Sequence, residues 1–238
     1  MVLSAAELFP PFGLVLRTPD LVLRPGDEAC AVRLANAVFE HGIHDPARSP
    51  FATAWTDADP RTVARSVFAN VLSAVRAKEP NGPWSLKFVV RRADRPDDPI
   101  GVMDLRQHAE VRDEVGTGSW LLRTEHRKGY GTQARAAVLK LAFLGLGMRE
   151  ARTAAYTYNS ASLGVTRKLG YRQIGFEDRI VRGESVESAQ FAVTREQWES
   201  SPAAMLLNPN ITWIGLDAVR ELFGTDTPYT VAKSLARA

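Results

Sequence analysis

Two glycines flanking a tyrosine, Gly129 and Gly131, close a run that begins at Val115 and reads Val-Gly-Thr-Gly-Ser-Trp-Leu-Leu-Arg-Thr-Glu-His-Arg-Lys-Gly-Tyr-Gly-Thr. Ser119, Trp120, Leu121 and Leu122 end a β-type stretch. Beyond the glycines, Ala134, Ala137, Val138, Leu141 and Ala142 recur on one face of a helix. A helix that opens in a glycine turn presents unpaired N–H groups at its positive end, and glycine has no Cβ to hold a ligand off the backbone. The chemistry available to such a pattern is the holding of phosphate oxygens. No Gly-Lys-Ser/Thr ending is present, so this is not the phosphate loop of nucleoside triphosphatases. Gly116 and Gly118 come too early for the dinucleotide fingerprint, and no glycine stands at 121. On backbone chemistry alone, a plain strand-to-helix connection remains the alternative.

A site of this kind needs a sheet behind it, and the chain has the material for one. At 238 residues, 45% apolar and 24% charged, it suits one α/β domain with additions and can bury a full core. The net charge is +3 and the arginines are scattered, which falls short of the basic stripe of a nucleic-acid binder. Cys30 is the single cysteine, so internal disulfides and a cysteine-rich zinc site are excluded; no metal is called for. Its expected place is inside the first helix as a small apolar residue. The N-terminus lacks the pattern of a signal peptide, and no apolar run approaches the length of a membrane span. A cytoplasmic protein without membrane contact is expected.

In chain order, residues 1–13 read as an irregular lead-in and 21–24 as a strand. Asp27 or Glu28 opens a helix through Phe39, with Val32, Ala35 and Val38 turned inward. Residues 40–58 form a connection long enough to carry function. Asp59-Pro60 starts a helix in which Val63, Val67, Val71 and Val75 recur, stopped by Pro80-Asn81-Gly82. Strands are expected at 84–90, 100–105, 115–122, 153–158, 171–181 and 186–194, the last two as a hairpin around Gly183. The anion-site helix runs to Gly147, and Asn159 caps a short helix closed by Gly170. In the tail, 211–216 reads as a strand and Asp217 caps a helix ended by Gly224. Residues 201–238 are expected to pack on the core or on the second subunit of a homodimer.

His126-Arg-Lys-Gly-Tyr-Gly131 resembles the Gln/Arg-x-x-Gly-x-Gly/Ala signature of the GCN5-related N-acetyltransferases. Asn159-Ser-Ala-Ser-Leu-Gly-Val-Thr-Arg-Lys-Leu-Gly-Tyr171 resembles the Asn-x-x-Ser-x-x-Val-x-x-Lys-x-Gly-Phe block of the RimJ/RimL-type branch, and Arg195-Glu-Gln-Trp198 its closing Arg-x-x-Trp. The resemblance covers residues 14–200. It implies an α/β fold of that family: a mixed, mostly antiparallel seven-stranded sheet with helices on both faces and a V-shaped splay between the strands ending near Leu121 and Tyr158. Acetyl-coenzyme A would lie in the splay as co-substrate. The main chain of Ser119, Trp120 and Leu121 would pair with its pantetheine amides, and Arg127, Lys128, Gly129, Tyr130, Gly131 and Thr132 would hold its pyrophosphate. Asn159 would touch the cofactor arm. Ser162 would be the general acid or thiolate stabiliser, since the tyrosine many relatives carry four positions later is Thr166 here.

Relatives often place a glutamate general base near position 116, which is Gly116 in this chain. Glu114 lies on the same strand face and is the expected substitute, acting through water. Asp104, His44 and Asp45 are the other candidates. A lysine amine of pKa about 10.4 is neutral in roughly one molecule in a few thousand at pH 7, whereas an α-amine near 8 is neutral about a tenth of the time. A weak base therefore favours an α-amine or a small-molecule amine as acceptor, on a peptide or protein N-terminus or free in solution. Selectivity is expected from residues 40–58, with His44 and Trp55, and from the Gly183 hairpin. Transfer of another acyl group or to an oxygen acceptor, in specialised metabolism or resistance, and a catalytically silent coenzyme-binding module are the alternatives.

Overall fold

The computed structural model describes residues 2–45, 49–73, 75–77 and 83–225. Its elements, in chain order, are α1 (Ala5–Leu8), β1 (Val15–Arg17), β2 (Leu21–Arg24), α2 (Glu28–His41), α3 (Pro60–Leu72), β3 (Val75–Ala77), β4 (Trp84–Arg92), β5 (Pro99–Gln107) and β6 (Glu114–Leu121). Then follow α4 (Tyr130–Lys140), β7 (Glu150–Tyr156), α5 (Ser160–Lys168), β8 (Arg172–Val181), β9 (Glu184–Thr194), α6 (Arg195–Glu199), α7 (Pro202–Leu207), β10 (Thr212–Ile214) and α8 (Leu216–Phe223).

The strands form one mixed sheet in the order β10-β1-β2-β4-β5-β6-β7-β9-β8, with β3 paired to β4 off that path. All neighbours are antiparallel except β6 and β7. Among the described residues the sheet thus has ten strands, not the seven expected. The additional ones, β1, β3 and β10, are each three residues long. Strand β10 lies within the stretch 211–216 expected as a strand of the tail, whereas β1 and β3 offer too few positions for an alternating pattern to declare itself. Val75, read as the last repeat of α3, belongs to β3; the stop expected at Pro80–Gly82 lies outside the described residues.

Alternation along the strands divides the core between the two faces of the sheet. Phe88, Val90, Met103 and Leu105 pack on α4 in one layer, while Val89 and Val102 pack on α2 and α3 in the other. The two helices of the second layer begin as their caps dictate: Asp27 accepts the Cys30 N–H at 2.7 Å, and Asp59 accepts from Arg61 and Thr62 ahead of a first-turn Pro60. The buried stripe of α2 is Cys30, Ala31, Leu34, Ala35 and Val38; Val32, expected inside, is 44% exposed. Cys30 is buried as expected but not in purely apolar company, because Arg91 Nη2 donates to its sulfur at 3.0 Å.

Residues 5–8 form a helical turn closed by a Ser4–Glu7 capping box, where the reading had only irregular chain. Helix α4 is extended by a π-type turn over Leu141–Gly145. Residues 202–225 fold against the sheet: β10 pairs with β1, and Phe223 stacks on Trp84 with centroids 5.0 Å apart. Lys140 Nζ donates to the carbonyls of Asn208 and Ile211, both at 2.7 Å, and Arg220 Nε to that of Gly145 at 2.6 Å. Helix α8 is capped by Gly215 rather than by Asp217, which sits in its first turn.

Candidate active site

Strands β6 and β7 run parallel and pair only where Glu114, Val115 and Gly116 face Glu150, Ala151 and Arg152. A last tie follows, Thr153 Oγ1 donating to the Thr117 carbonyl at 3.4 Å, and beyond it the strands diverge. Strand β6 stays paired with β5 to Leu121, and β7 with β9 to Tyr156, so each is held on its outer side while the space between them opens. A cleft of about 950 Å³ occupies this opening. That is the upper end of the range in which proteins bind small molecules.

At one end of the cleft the wall is backbone. Arg127 (φ 62°) and Gly129 (φ 84°) both adopt the left-handed conformation, and Gly129 is the N-cap of α4. None of the N–H groups from Arg127 to Gly131 donates to another described residue, whereas those of Thr132 and Gln133 turn back to the Gly129 carbonyl. A row of N–H groups without an acceptor among the described residues, at the positive end of a helix, is suited to an anion. Gln133 fixes its place in the fold, accepting from Thr18 Oγ1 at 2.8 Å and donating to Asp20 Oδ2 at 2.6 Å.

The middle and the other end are made of side chains. Asn159 Oδ1 accepts the Ser162 N–H at 3.1 Å, capping α5 and leaving the Ser162 hydroxyl on the cleft wall. His44, Phe51, Trp55 and Trp120 form a continuous aromatic wall with successive centroids 5.6, 5.0 and 6.3 Å apart. The connection carrying His44, Phe51 and Trp55 is tied across the opening, by Tyr158 Oη donating to the Ser49 carbonyl at 2.7 Å and by a two-bond ion pair between Arg182 and Asp57. The Gly183 hairpin and the connection after α2 therefore meet over one face of the cleft. Asp104, on β5 opposite Gly118, lines the cleft with its side chain 24% exposed and Lys87 Nζ 4.0 Å away. Burial pushes its carboxyl above the ordinary range, against the opposing pull of Lys87 and Arg106.

Of the residues expected to bind, Ser119, Trp120, Leu121, Arg127, Gly129, Tyr130, Gly131, Thr132, Asn159 and Ser162 all border this one cleft. Lys128 does not; its ammonium pairs with Glu125 at 3.0 Å. His126 is exposed and borders the cleft, its Nε2 3.1 Å from the Leu121 carbonyl. Glu114 is the displaced candidate. It stands at the paired, closed end of the V, about 16 Å along the strand from Ser119 at the usual rise. Its carboxylate is 6% exposed and held by Arg149 at 2.8 Å and Arg152 at 3.0 Å, outside the cleft lining. Shared strand parity with position 116 put it on an expected face but at the wrong height. The residue passed over was Arg135, a charge set among the small and apolar positions of α4 that reaches the cleft floor.

Residues 20–172 match the family model described as the acetyltransferase (GNAT) domain. The chain belongs to the GNAT acetyltransferase family. Membership in a GNAT family accounts for the order of the elements and for the splay between β6 and β7, and it makes the chain an acyltransferase by family. Solved GNAT structures share the fold at low identity. Mycobacterium smegmatis RimJ in complex with CoA-disulfide is 20% identical, with 86% of this chain and 99% of that one covered and a TM-score of 0.58. The ribosomal-protein-S5-alanine acetyltransferase of Vibrio fischeri is 16% identical, covering 77% and 98%, also with a TM-score of 0.58. A GCN5-related N-acetyltransferase from Brucella melitensis is 17% identical, covering 80% and 82%, at 0.59. Among the described residues, no helix is long and apolar enough to cross a membrane.

Proposed function

We propose that this protein moves an acetyl group from acetyl-coenzyme A to a primary amine, an α-amine or small-molecule amine, by direct attack on the thioester. The observation that carries this reading is the row of N–H groups from Arg127 to Gly131, without an acceptor among the described residues, at the head of α4 and beside a strand edge left free by the splay. Pyrophosphate oxygens fit the first, and the amides of an extended pantetheine arm fit the second, as an added strand would. Acetyl-coenzyme A is a co-substrate in this scheme, not a resident group.

Asp104 replaces Glu114 as the general base. It borders the cleft, Glu114 does not, and its raised pKa brings it nearer to that of the amine it must deprotonate. Ser162 offers its hydroxyl beside the reacting carbonyl or sulfur, and N–H groups of β6 near Leu121 face the tetrahedral oxyanion. The aromatic wall of Phe51, Trp55 and Trp120 receives the body of the acceptor. Incubation with acetyl-coenzyme A and a panel of amines and N-terminal peptides, read by mass shift and thiol release, tests the proposal. A gain of one acetyl on an α-amine or small amine is expected. Acetylation confined to lysine side chains would overturn the acceptor, and transfer of only longer acyl groups would overturn the donor. Thiol release with none of the acceptors would overturn the reaction.

A further inference from the structure

Arg135 is a cation buried at the cleft, and burying an unpaired cation is costly. Its side chain is 4% exposed, yet it borders the cleft. Nη1 donates to Thr166 Oγ1 at 3.0 Å and Nη2 to Ser119 Oγ at 3.4 Å, while Nε has no partner. Among the described residues no carboxylate lies within ion-pair distance of it; its other polar neighbour is the buried Tyr171, whose hydroxyl meets Thr117 Oγ1 at 3.4 Å. The two acids bordering the cleft are engaged elsewhere, Glu125 with Lys128 and Asp104 near Lys87. A guanidinium stays protonated in proteins, so burial cannot neutralise it. A buried cation whose described partners are neutral hydroxyl groups is strongly disfavoured unless an anion arrives to complete the site.

Where that anion would stand follows from the elements. Arg135 lies four residues past Gly131, about one turn deeper along α4 than the phosphate cradle, so it serves a different part of a bound molecule. Ser162 and Thr166 lie one turn apart on α5. Thr166 is wholly buried and does not border the cleft, so its hydroxyl anchors the guanidinium and has no access to a substrate. Arg135 thus borders the cleft with Nη2 beside Ser119, in a wall that Ser162 also lines.

We infer that Arg135 receives the negative charge that develops on the sulfur of coenzyme A as the thioester breaks. This rests on the acyl-transfer reading above. The amine lone pair forms the C–N bond at the carbonyl carbon, and the C–S bond breaks with its electron pair leaving on sulfur. The surplus proton of the amine passes to Asp104 and on to solvent. The thiolate is held against the guanidinium until it takes a proton from solvent on release.

The test is the ionisation of coenzyme A bound to the full chain, followed by the ultraviolet absorbance of the thiolate, with affinity measured in parallel by calorimetry. The bound thiol is expected to titrate about 1–3 units below the free one, as an opposite charge at close range requires. Arg135→Gln should return it toward the free value and Arg135→Lys should keep most of the shift. In the Gln variant kcat should fall while KM for acetyl-coenzyme A changes by less than about threefold, the mark of an interaction made only as charge develops. A wild-type bound thiol that titrates like the free one overturns the assignment without any variant, and so does a Gln variant that folds and leaves the shift intact. Failure of coenzyme A to bind the wild-type chain at all is a separate result, and it removes the acyl-coenzyme A reading itself.

Discussion

The two ends of the cleft are built on opposite principles. At the Gly129 end the wall is made of main-chain N–H groups, and identity matters only where the backbone must take a left-handed turn. At the Asp104 and Arg135 end it is made of side chains delivered from β5, α4 and the loop after α2, whose character depends on burial. The first kind of site is tolerant of substitution and visible as a spacing. The second is sensitive to single atoms and is assembled only when distant segments meet.

This contrast can be broken by substitution, and the largest effect should fall at the side-chain end. Asp104→Asn should lower kcat/KM by about 10²-fold or more, the usual share of a general base, with coenzyme A affinity unchanged. The same change should raise the melting temperature at neutral pH. The folded pKa of Asp104 is raised by burial, so its contribution to stability is complete below the unfolded value of about 3.9 and is lost as pH rises through the folded value. The stabilising effect of Asn should therefore vanish in melts run below pH ~3.5. Loss of activity without a gain in stability would make Asp104 something other than a desolvated base.

Next comes the backbone end. Gly129→Val forces a β-branched residue to φ 84° and should weaken coenzyme A binding about 30-fold by calorimetry, at an added strain of about 1–3 kcal/mol. Glu114→Gln should do the reverse, leaving turnover within about threefold while destabilising the fold by about 1–2 kcal/mol in a urea melt, because Arg149 and Arg152 lose a charged acceptor. A large loss of turnover in that variant would restore Glu114 as the base. The smallest effect is expected for Gly131→Ala. An added Cβ there meets Val165 at 3.7 Å and Leu121 at 4.0 Å, ordinary contact distances, so affinity should change by less than about threefold.

What the chain disclosed in advance follows the same division. Gly129, Gly131 and Asn159 announce themselves by type and spacing, because a turn and a cap are local events. The longer strands and both layer helices were legible from periodicity, since each buries a whole face. Strands β1 and β3 were not, being too short to alternate, whereas β10 falls within the 211–216 read as a strand. Glu114 was misplaced because parity along a strand fixes the face a residue points to but not its distance from the open end of a splay. Arg135 carried one faint signal, a charge at the edge of the apolar arc of α4. Only packing reveals that its partners on β6 and α5 carry no charge.

Helix α4 is moored at both extremities, at its head by Gln133 to the Thr18–Asp20 turn and at its far end by Lys140 and the Arg220 grip on the π-type turn. One continuous set of amides can therefore serve as gauge for two remote events. Deuterium uptake between residues 130 and 145 should slow from the head inward when a nucleotide is taken up. It should quicken from the opposite extremity when the tail is cut away, so the direction from which the change spreads tells the two apart.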